Sequence, residues 1–175
     1  MVEPRDEPYM DLALREARRA AQQGEVPIGA VLVRDHAVIA RAHNTRERTH
    51  DPTAHAEVMA MRRGARRLAS WRLVGCTLYV TLEPCLMCMG AAVQARLPRL
   101  VFGCLDSKAG AAGSLYEVQA DARLNHRIAV TPGVREAECR ALLQTFFETL
   151  RARPGSVGAA EGWLRPVEGD RLEID

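Results

Sequence analysis

The stretch from Thr77 to Cys104 constrains the fold most, because it reads as strand, helix and strand in quick succession. Residues 77–82 and 100–104 have strand patterns, and residues 85–96 between them have a helical pattern. No charged residue occurs from Leu86 to Ala95. A helix without charges is buried on most of its sides. The stretch therefore predicts a sheet covered by buried helices.

The other segments extend this arrangement into an α/β domain. Residues 44–52 are polar and loop-like, and Thr53 is the predicted N-cap of the helix that follows them. The remaining predicted elements are a helix over 6–23, a hairpin of strands over 26–33 and 37–42, a helix over 53–68, a strand over 127–130 and a helix over 134–151. We therefore predict a three-layer α-β-α sandwich around a mixed five-stranded sheet.

Length and composition fit one domain followed by a tail. The chain has 175 residues, of which 47% are hydrophobic and 26% charged, an ordinary globular composition. We predict a domain over 1–152 and a loosely ordered tail, rich in glycine and proline, over 153–175. No stretch approaches 18 uncharged apolar residues, and the N-terminus has acidic charges and no apolar core of a secretory signal. We therefore expect no membrane span and a cytoplasmic location.

The charge distribution leaves two interpretations open. A net charge of +2 is too small to indicate a nucleic-acid-binding protein by itself. Residues 34–72, however, hold nine arginines against four acidic residues. This excess fits solvated helix faces, and it equally fits contacts with phosphates.

The five cysteines divide into two groups by their spacing. Their odd number argues against a disulfide framework. Cys85 and Cys88 are three positions apart at a helix start, where both side chains point to one side and the helix dipole favours thiolates. Such a pair suits zinc, although two buried core cysteines would show the same spacing. The cysteines without metal-like spacing, which we expect in the core, are Cys76, Cys104 and Cys139.

His55 and Glu57 lie at the start of the preceding helix, and together with the cysteine pair they indicate a catalytic zinc site. One histidine and two thiolates make three zinc ligands, which leaves a position for water. Glu57 could then move the proton of that water. Residues i and i+2 of an ideal helix are about 200° apart, so both reach one site only if the metal lies over the first turn.

Longer stretches carry a resemblance to a known family. The pairing of His55-Ala-Glu57 with Pro84-Cys-Leu-Met-Cys88 is the signature of the zinc nucleobase deaminases. Over residues 8–150 the chain resembles the bacterial tRNA adenosine deaminases within that superfamily. The matching stretches are 25–33, 50–57, 77–85, 101–103, Asp106 with Lys108, 110–115 and 125–127.

The resemblance implies a cytidine deaminase-like fold, one zinc ion per subunit, a homodimer, and hydrolysis of the wobble adenosine of a tRNA anticodon to inosine. It implies that Glu57 acts as base and then as acid while water adds at C6 of adenine. It implies contact between Asp106 and the anticodon loop, and we expect that carboxylate to accept a ribose 2′-hydroxyl, which would favour RNA over DNA. The implied roles are zinc ligation by His55, Cys85 and Cys88, purine contacts by Asn44 and Ile28, and RNA contacts by Asp106, Lys108 and Phe147.

Several of these roles keep an ordinary structural alternative. Asn44 also suits a turn, Ile28 suits a strand core, and one of Phe146 and Phe147 suits the core of the last helix. The stretch 51–57 is also similar to guanine and cytosine deaminases, so it does not choose a substrate. A free-base deaminase and a non-catalytic, zinc-stabilised RNA-binding module therefore remain alternatives. In contrast to many relatives, the tail is not basic, so RNA binding would rest on the folded surface.

Overall fold

The computed structural model describes residues 5–152, in which one sheet has helices on both faces. The elements follow the predicted order, with a short 3₁₀-helix, Val118–Ala120, between the last two strands. The elements are α1 Asp6–Gln22, β1 Gly29–Arg34, β2 Ala37–His43, α2 Arg46–Thr49, α3 Ala56–Arg67, β3 Cys76–Leu82, α4 Leu86–Gln94, β4 Arg99–Cys104, β5 Ala129–Thr131 and α5 Glu136–Ala152. The predicted tail, 153–175, lies outside the described residues.

The sheet is mixed, with the strand order β2-β1-β3-β4-β5. β1 is antiparallel to β2 and β3, whereas β3, β4 and β5 are parallel. Two residues with positive φ, Asp35 and His36, close the β1–β2 hairpin, as a tight two-residue turn requires. In the parallel half, Leu82 is level with Cys104. The segments that leave β3 and β4 therefore start from the same edge of the sheet.

Side chains of the strands alternate between two hydrophobic layers. Leu32, Leu78 and Leu100 pack with α3 and α4 on one face. On the other face, Val31 and Val101 pack with α1 and α5. This alternation confirms the predicted three-layer sandwich. The three cysteines expected in the core, Cys76, Cys104 and Cys139, are all buried.

Two contacts fix α1 on the sheet. A Cβ atom on Gly29 would lie 2.1 Å from the carbonyl oxygen of Ala13, so the helix lies directly on the strand backbone. At the start of the helix, the fully buried carboxylate of Asp6 accepts hydrogen bonds from both terminal nitrogens of Arg99, at 2.8 and 2.9 Å. The Tyr79 hydroxyl donates to the same carboxylate at 3.0 Å. These contacts join the first helix to the third and fourth strands.

The segment before α3 differs from the prediction. The polar stretch 44–52 contains the short helix α2, and the prediction of Thr53 as an N-cap is wrong. The Thr53 backbone N–H and hydroxyl instead donate to Asp51 Oδ1, at 2.8 and 2.6 Å. α3 begins three residues later, with His55 as its N-cap in an extended conformation. Throughout residues 5–152, no helix has the combined length and apolar character that crossing a membrane demands.

Candidate active site

His55, Cys85 and Cys88 bring one nitrogen and two sulfur atoms together. His55 Nδ1 lies 3.7 Å from Cys85 Sγ and 3.5 Å from Cys88 Sγ. The two sulfur atoms are 3.8 Å apart. His55 is 30 positions before Cys85 in the chain, and Cys85 is one helical turn before Cys88. The three residues nevertheless meet as one cluster of possible metal ligands.

The spacing of these atoms fits tetrahedral zinc. Zinc binds thiolate sulfur at about 2.3 Å and imidazole nitrogen at about 2.0–2.1 Å. At the tetrahedral angle, these bond lengths separate two sulfurs by about 3.8 Å and a sulfur from a nitrogen by about 3.6 Å. The observed distances of 3.8, 3.7 and 3.5 Å agree with both values. The cluster therefore has the donor atoms and the geometry of a three-ligand zinc site.

Two helix starts supply the cluster. His55 is the N-cap of α3 and Cys85 the N-cap of α4, and both have extended backbones. Cys88 follows in the first turn of α4. The N-terminal ends of both helices therefore point toward the cluster, and their dipoles favour negative charge there. A hydrogen bond from the Cys88 thiol and another from His55 lower the pKa of Cys85 to about 3, whereas the same hydrogen bond to Cys85 and burial raise the pKa of Cys88.

Glu57 is buried beside these residues. It interacts electrostatically with His55 and Cys88, and burial raises the pKa of its carboxyl group. Because His55 precedes the helix, the 200° separation expected for i and i+2 within a helix does not apply. Within the described part of the chain, the buried Glu57 Oε2 atom has no hydrogen-bond partner. It is therefore available to a substrate or water at the cluster.

Asn44 lies at the end of β2 and is held by a glutamate that the sequence reading missed. Asn44 Nδ2 donates to Glu25 Oε2 at 3.3 Å, and the Asn44 backbone N–H donates to the Ile28 carbonyl at 3.0 Å. The buried Glu25 carboxylate also accepts the backbone N–H groups of Glu47 and Arg48, at 3.2 and 2.8 Å. Ile28 is half-buried directly before β1 and packs against the core. Glu25 thus fixes both Asn44 and the start of α2.

Asp106 and Lys108 begin the loop that follows β4. Asp106 Oδ1 accepts the backbone N–H groups of Lys108 and Ala109, at 2.9 and 3.2 Å, and so shapes a local turn. The Asp106 N–H donates to Glu83 Oε2 at 3.0 Å. Burial alone would raise the pKa of Glu83, but hydrogen bonds from Ser114 and the loop backbone outweigh it and lower that pKa. Glu83 was also missed, although a lone acid between an apolar strand and an uncharged helix signals a buried role.

Lys108 and Phe147 share one surface cavity of about 500 Å³ between the loop and α5. Arg140 and Arg151, which the sequence reading did not single out, line the same cavity. Phe147 is 41% exposed, whereas the neighbouring Phe146 is half-buried. The cavity therefore combines an exposed aromatic ring with three basic side chains and the acidic Glu148, and Arg140 is ion-paired with Glu136.

Asn125 and His126, from another stretch that carries the resemblance, fasten the chain to the turn after α4. Arg96 donates to Asn125 Oδ1 at 2.5 Å, and His126 Nε2 lies 2.7 Å from the Leu97 carbonyl. Arg127, which completes that stretch, is exposed. The first two residues therefore have a structural role in the monomer.

Comparisons with known proteins agree with this geometry. The family model of MafB19-like deaminases matches residues 5–151. The chain is 49% identical over 148 residues to the tRNA-specific adenosine deaminase of Bacillus subtilis (strain 168), covering 85% of this chain and 92% of that protein. It is 48% identical over 147 residues to the tRNA-specific adenosine deaminase of Haemophilus influenzae, covering 83% of this chain and 85% of that one.

Solved structures extend the comparison to the fold. A chain from a study of A-to-I editing by tRNA:A34 deaminases at the wobble position superposes with a TM-score of 0.76 at 45% identity. The match covers 78% of this chain and 99% of that one. A guanine deaminase from Bacillus subtilis superposes with a TM-score of 0.56 at 31% identity, covering 81% of this chain and 93% of that one.

The fold, the nitrogen–sulfur cluster and the matches together define a deaminase. Its sandwich is the one shared by the cytidine deaminase-like proteins, as the resemblance implies. Within that class, the chain belongs to the family of tRNA-specific adenosine deaminases.

Proposed function

We propose that this protein hydrolyses the wobble adenosine of a tRNA anticodon to inosine. The observation that carries the proposal is that His55, Cys85 and Cys88 meet beside a buried oxygen of Glu57 that has no hydrogen-bond partner among residues 5–152. A purely structural metal site has no use for a carboxylate in that position. The names of the relatives from Bacillus subtilis and Haemophilus influenzae support the choice of substrate.

His55, Cys85 and Cys88 would hold one zinc ion per subunit. Zinc in such a site supplies Lewis acidity, which makes water a competent nucleophile at neutral pH. Glu57 takes a proton from the water as its oxygen bonds to C6 of adenine. It gives that proton to the ring nitrogen. It then takes the remaining proton from the new C6 hydroxyl and gives it to the amino group, so that the C6–N6 bond breaks as the C6 carbonyl forms and ammonia leaves. Glu57 ends the cycle in its starting protonation state.

Asn44 and Ile28 would contact the purine while Glu57 acts. The hydrogen bond from Asn44 Nδ2 to Glu25 fixes the orientation of the amide. A side chain held in one orientation loses little entropy when it binds a base. We assign the purine contact to Asn44 and a packing contact to Ile28.

Asp106, Lys108 and Phe147 would bind the anticodon loop around the flipped base. Unstacked loop bases can pack on an exposed aromatic ring, and basic side chains attract the phosphates. The cavity that Phe147 and Lys108 line offers both. If the Asp106 carboxylate accepts a ribose 2′-hydroxyl, Asp106→Asn lowers the preference for RNA over DNA, and an unchanged preference contradicts this role.

We also propose that the chain works as a homodimer in the cytoplasm, where tRNA is decoded. An apolar groove of about 330 Å³ lies between α3 and α4 on the outer side of the helix layer. Trp71 lines this groove and is 58% exposed. A second copy of the chain would bury this surface. Sedimentation equilibrium tests this, and Trp71→Ala should weaken the association.

Inosine formation in an anticodon stem-loop with a wobble adenosine tests the proposed activity. Free guanine, cytosine and adenine serve as parallel substrates, and Glu57→Ala serves as the catalytic control. Turnover of the stem-loop alone supports the proposal. Turnover of a free base with an untouched stem-loop would assign the chain to free-base chemistry. Equal turnover by wild type and by a zinc-loaded Glu57→Ala variant would exclude the proton transfer.

A further inference from the structure

Glu83 lies between β3 and α4 and is 2% exposed. Its Oε1 atom accepts the backbone N–H groups of Ala112 and Ser114, at 2.9 and 3.0 Å. Its Oε2 atom accepts the backbone N–H of Asp106 at 3.0 Å and the Ser114 hydroxyl. Both carboxylate oxygens are thus saturated by donors from a loop 23 to 31 positions further along the chain.

The backbone on either side of Glu83 binds the same loop. The Ala111 N–H donates to the Pro84 carbonyl at 2.8 Å, and Cys85 forms a backbone bridge with Gly110. Cys85 is the residue that begins the cysteine pair of the proposed zinc site. The loop 106–114 is therefore attached to the segment that carries a proposed metal ligand.

Gly110 shows how closely the loop follows the carboxylate. A Cβ atom on Gly110 would lie 2.3 Å from Glu83 Oε2 and 2.6 Å from the Asp106 carbonyl oxygen. No side chain fits in that space without moving the loop or the glutamate. The fit gives the loop one position on Glu83.

The outer side of this loop carries Asp106 and Lys108, which we propose to contact RNA. Asp106 is tied to Glu83 by its backbone, while its side chain holds the turn that contains Lys108. Leu115 and Tyr116, directly after the loop, are 53% and 50% exposed. The positions of Asp106 and Lys108 therefore depend on the buried carboxylate of Glu83.

We propose that Glu83 is a positioning residue, which fixes loop 106–114 on the Cys85 segment and thereby sets the binding of RNA around the target base. This proposal rests on the proposed function, because it concerns how the same site binds its substrate. Glu83 acts through the loop and does not take part in the proton transfers of Glu57.

The test is Glu83→Gln, which keeps the shape of the side chain but turns an amide NH₂ toward donors. KM for the anticodon stem-loop should rise about tenfold or more, because at least one buried donor loses its acceptor. kcat should change by less than about threefold, and the zinc content should stay at one per chain. Hydrogen exchange should accelerate in peptides that cover 106–114 and stay unchanged in those that cover β1.

Asp6→Asn is the matched control, since Asp6 is also a buried carboxylate with several donors, at the opposite end of β4. It should lower stability without raising KM. An equal rise of KM in Asp6→Asn, or an unchanged KM in Glu83→Gln, would overturn the proposal. So would a fall of kcat without a change in KM.

Ser114→Ala covers the case in which Glu83→Gln does not fold. This variant removes one hydrogen bond to Glu83 from a half-buried position and should raise KM by a few-fold. Where both variants fold, the double variant should bind like Glu83→Gln alone, because Ser114 acts through Glu83. If the effects of the two substitutions on KM add up in the double variant, Ser114 does not act through Glu83, and the proposal is contradicted. Failure of the wild type to deaminate the stem-loop would reject the proposed function instead, and the exchange data would still report on the loop.

Discussion

Asn44 Nδ2 lies 3.3 Å from Glu25 Oε2, and the same carboxylate binds the backbone N–H groups of Glu47 and Arg48. One buried acid therefore sets the orientation of the proposed purine-binding amide and the start of a neighbouring helix. The amide and the helix cannot shift independently of each other.

Glu25→Gln should reduce kcat/KM for the stem-loop about tenfold or more while zinc remains bound. The substituted amide cannot accept from all three donors, so Asn44 and α2 lose their common anchor. Glu47→Gln is the control, because the Glu47 side chain is 67% exposed and only its backbone binds Glu25. Inosine formation and zinc content are measured for both variants. A normal kcat/KM in Glu25→Gln would show that the anchoring of Asn44 and α2 by Glu25 does not affect substrate binding or turnover.

The two helix starts at the proposed zinc site lead to a prediction about stability. A metal held by His55, Cys85 and Cys88 joins parts of the chain that are 30 positions apart. Removing zinc with a chelator should lower the melting temperature by about 5–10 °C, because a ligand at a hundredfold excess over its Kd adds about 2.7 kcal/mol to folding.

Cys88→Ala should melt at a temperature that the chelator does not change. Cys104→Ala, at an equally buried cysteine, should keep both the zinc and the chelator response. Calorimetry with and without chelator, together with metal analysis, checks this. A chelator response that survives in Cys88→Ala would mean that Cys88 is not a ligand.

Lys108 and Phe147 line the same cavity but should affect RNA binding in different ways. Lys108→Ala should weaken binding most at low salt and reduce the slope of log K against log salt by about one, as expected for one phosphate contact. Phe147→Ala should weaken binding about tenfold to hundredfold at every salt concentration, since stacking contributes about 1–3 kcal/mol per base.

Fluorescence titration of a labelled stem-loop at several salt concentrations separates the two effects. Leu124→Ala, at an apolar side chain that is 37% exposed outside this cavity, should leave both affinity and slope unchanged. Identical salt slopes for wild type and Lys108→Ala would show that Lys108 does not bind a phosphate.

Tyr79 makes stability depend on pH at the alkaline end. Burial, followed by the hydrogen bond to Asp6, raises the pKa of Tyr79 above its ordinary value of 10. The unfolded chain therefore loses this proton first as pH rises. The stabilisation that Tyr79 provides is complete below pH 10 and is lost above it, as pH rises toward the folded-state pKa.

Urea unfolding between pH 8 and about pH 11 should show a smaller alkaline loss of stability in Tyr79→Phe than in wild type. Tyr79→Phe should be less stable at pH 8 by about 1 kcal/mol, because the hydrogen bond to Asp6 is gone. Tyr116→Phe, at a half-exposed ring, should keep the wild-type slope. Parallel curves for wild type and Tyr79→Phe would contradict the raised pKa.

The sequence predicts the sheet and the large helices well because their signals are local. The uncharged helix α4 and the strands on either side of it appear as periodic patterns, and the deaminase family follows from short motifs. The helix α2 was missed because residues 46–49 have no apolar period. It begins where Glu25, more than 20 positions earlier, accepts its first N–H groups.

The errors and omissions at the site have the same physical origin. Thr53 suits an N-cap, but its side chain binds Asp51, so the helix starts at Ala56. Glu83 binds donors 23 to 31 positions away, and no local pattern reports such partners. The zinc ligands, Glu57 and the RNA contacts remain predictions that the geometry supports.

The loop over Glu83 contains positions that tolerate substitution and positions that do not. The side chains of Leu105, Leu115 and Tyr116 are exposed, and Leu115 and Tyr116 bind the loop through their backbones, so new substrates could be selected by varying these three side chains. Gly110 and Glu83 have no such freedom, since any added side-chain atom at Gly110 meets the carboxylate. A library for altered specificity should therefore randomise the three exposed positions and hold these two constant.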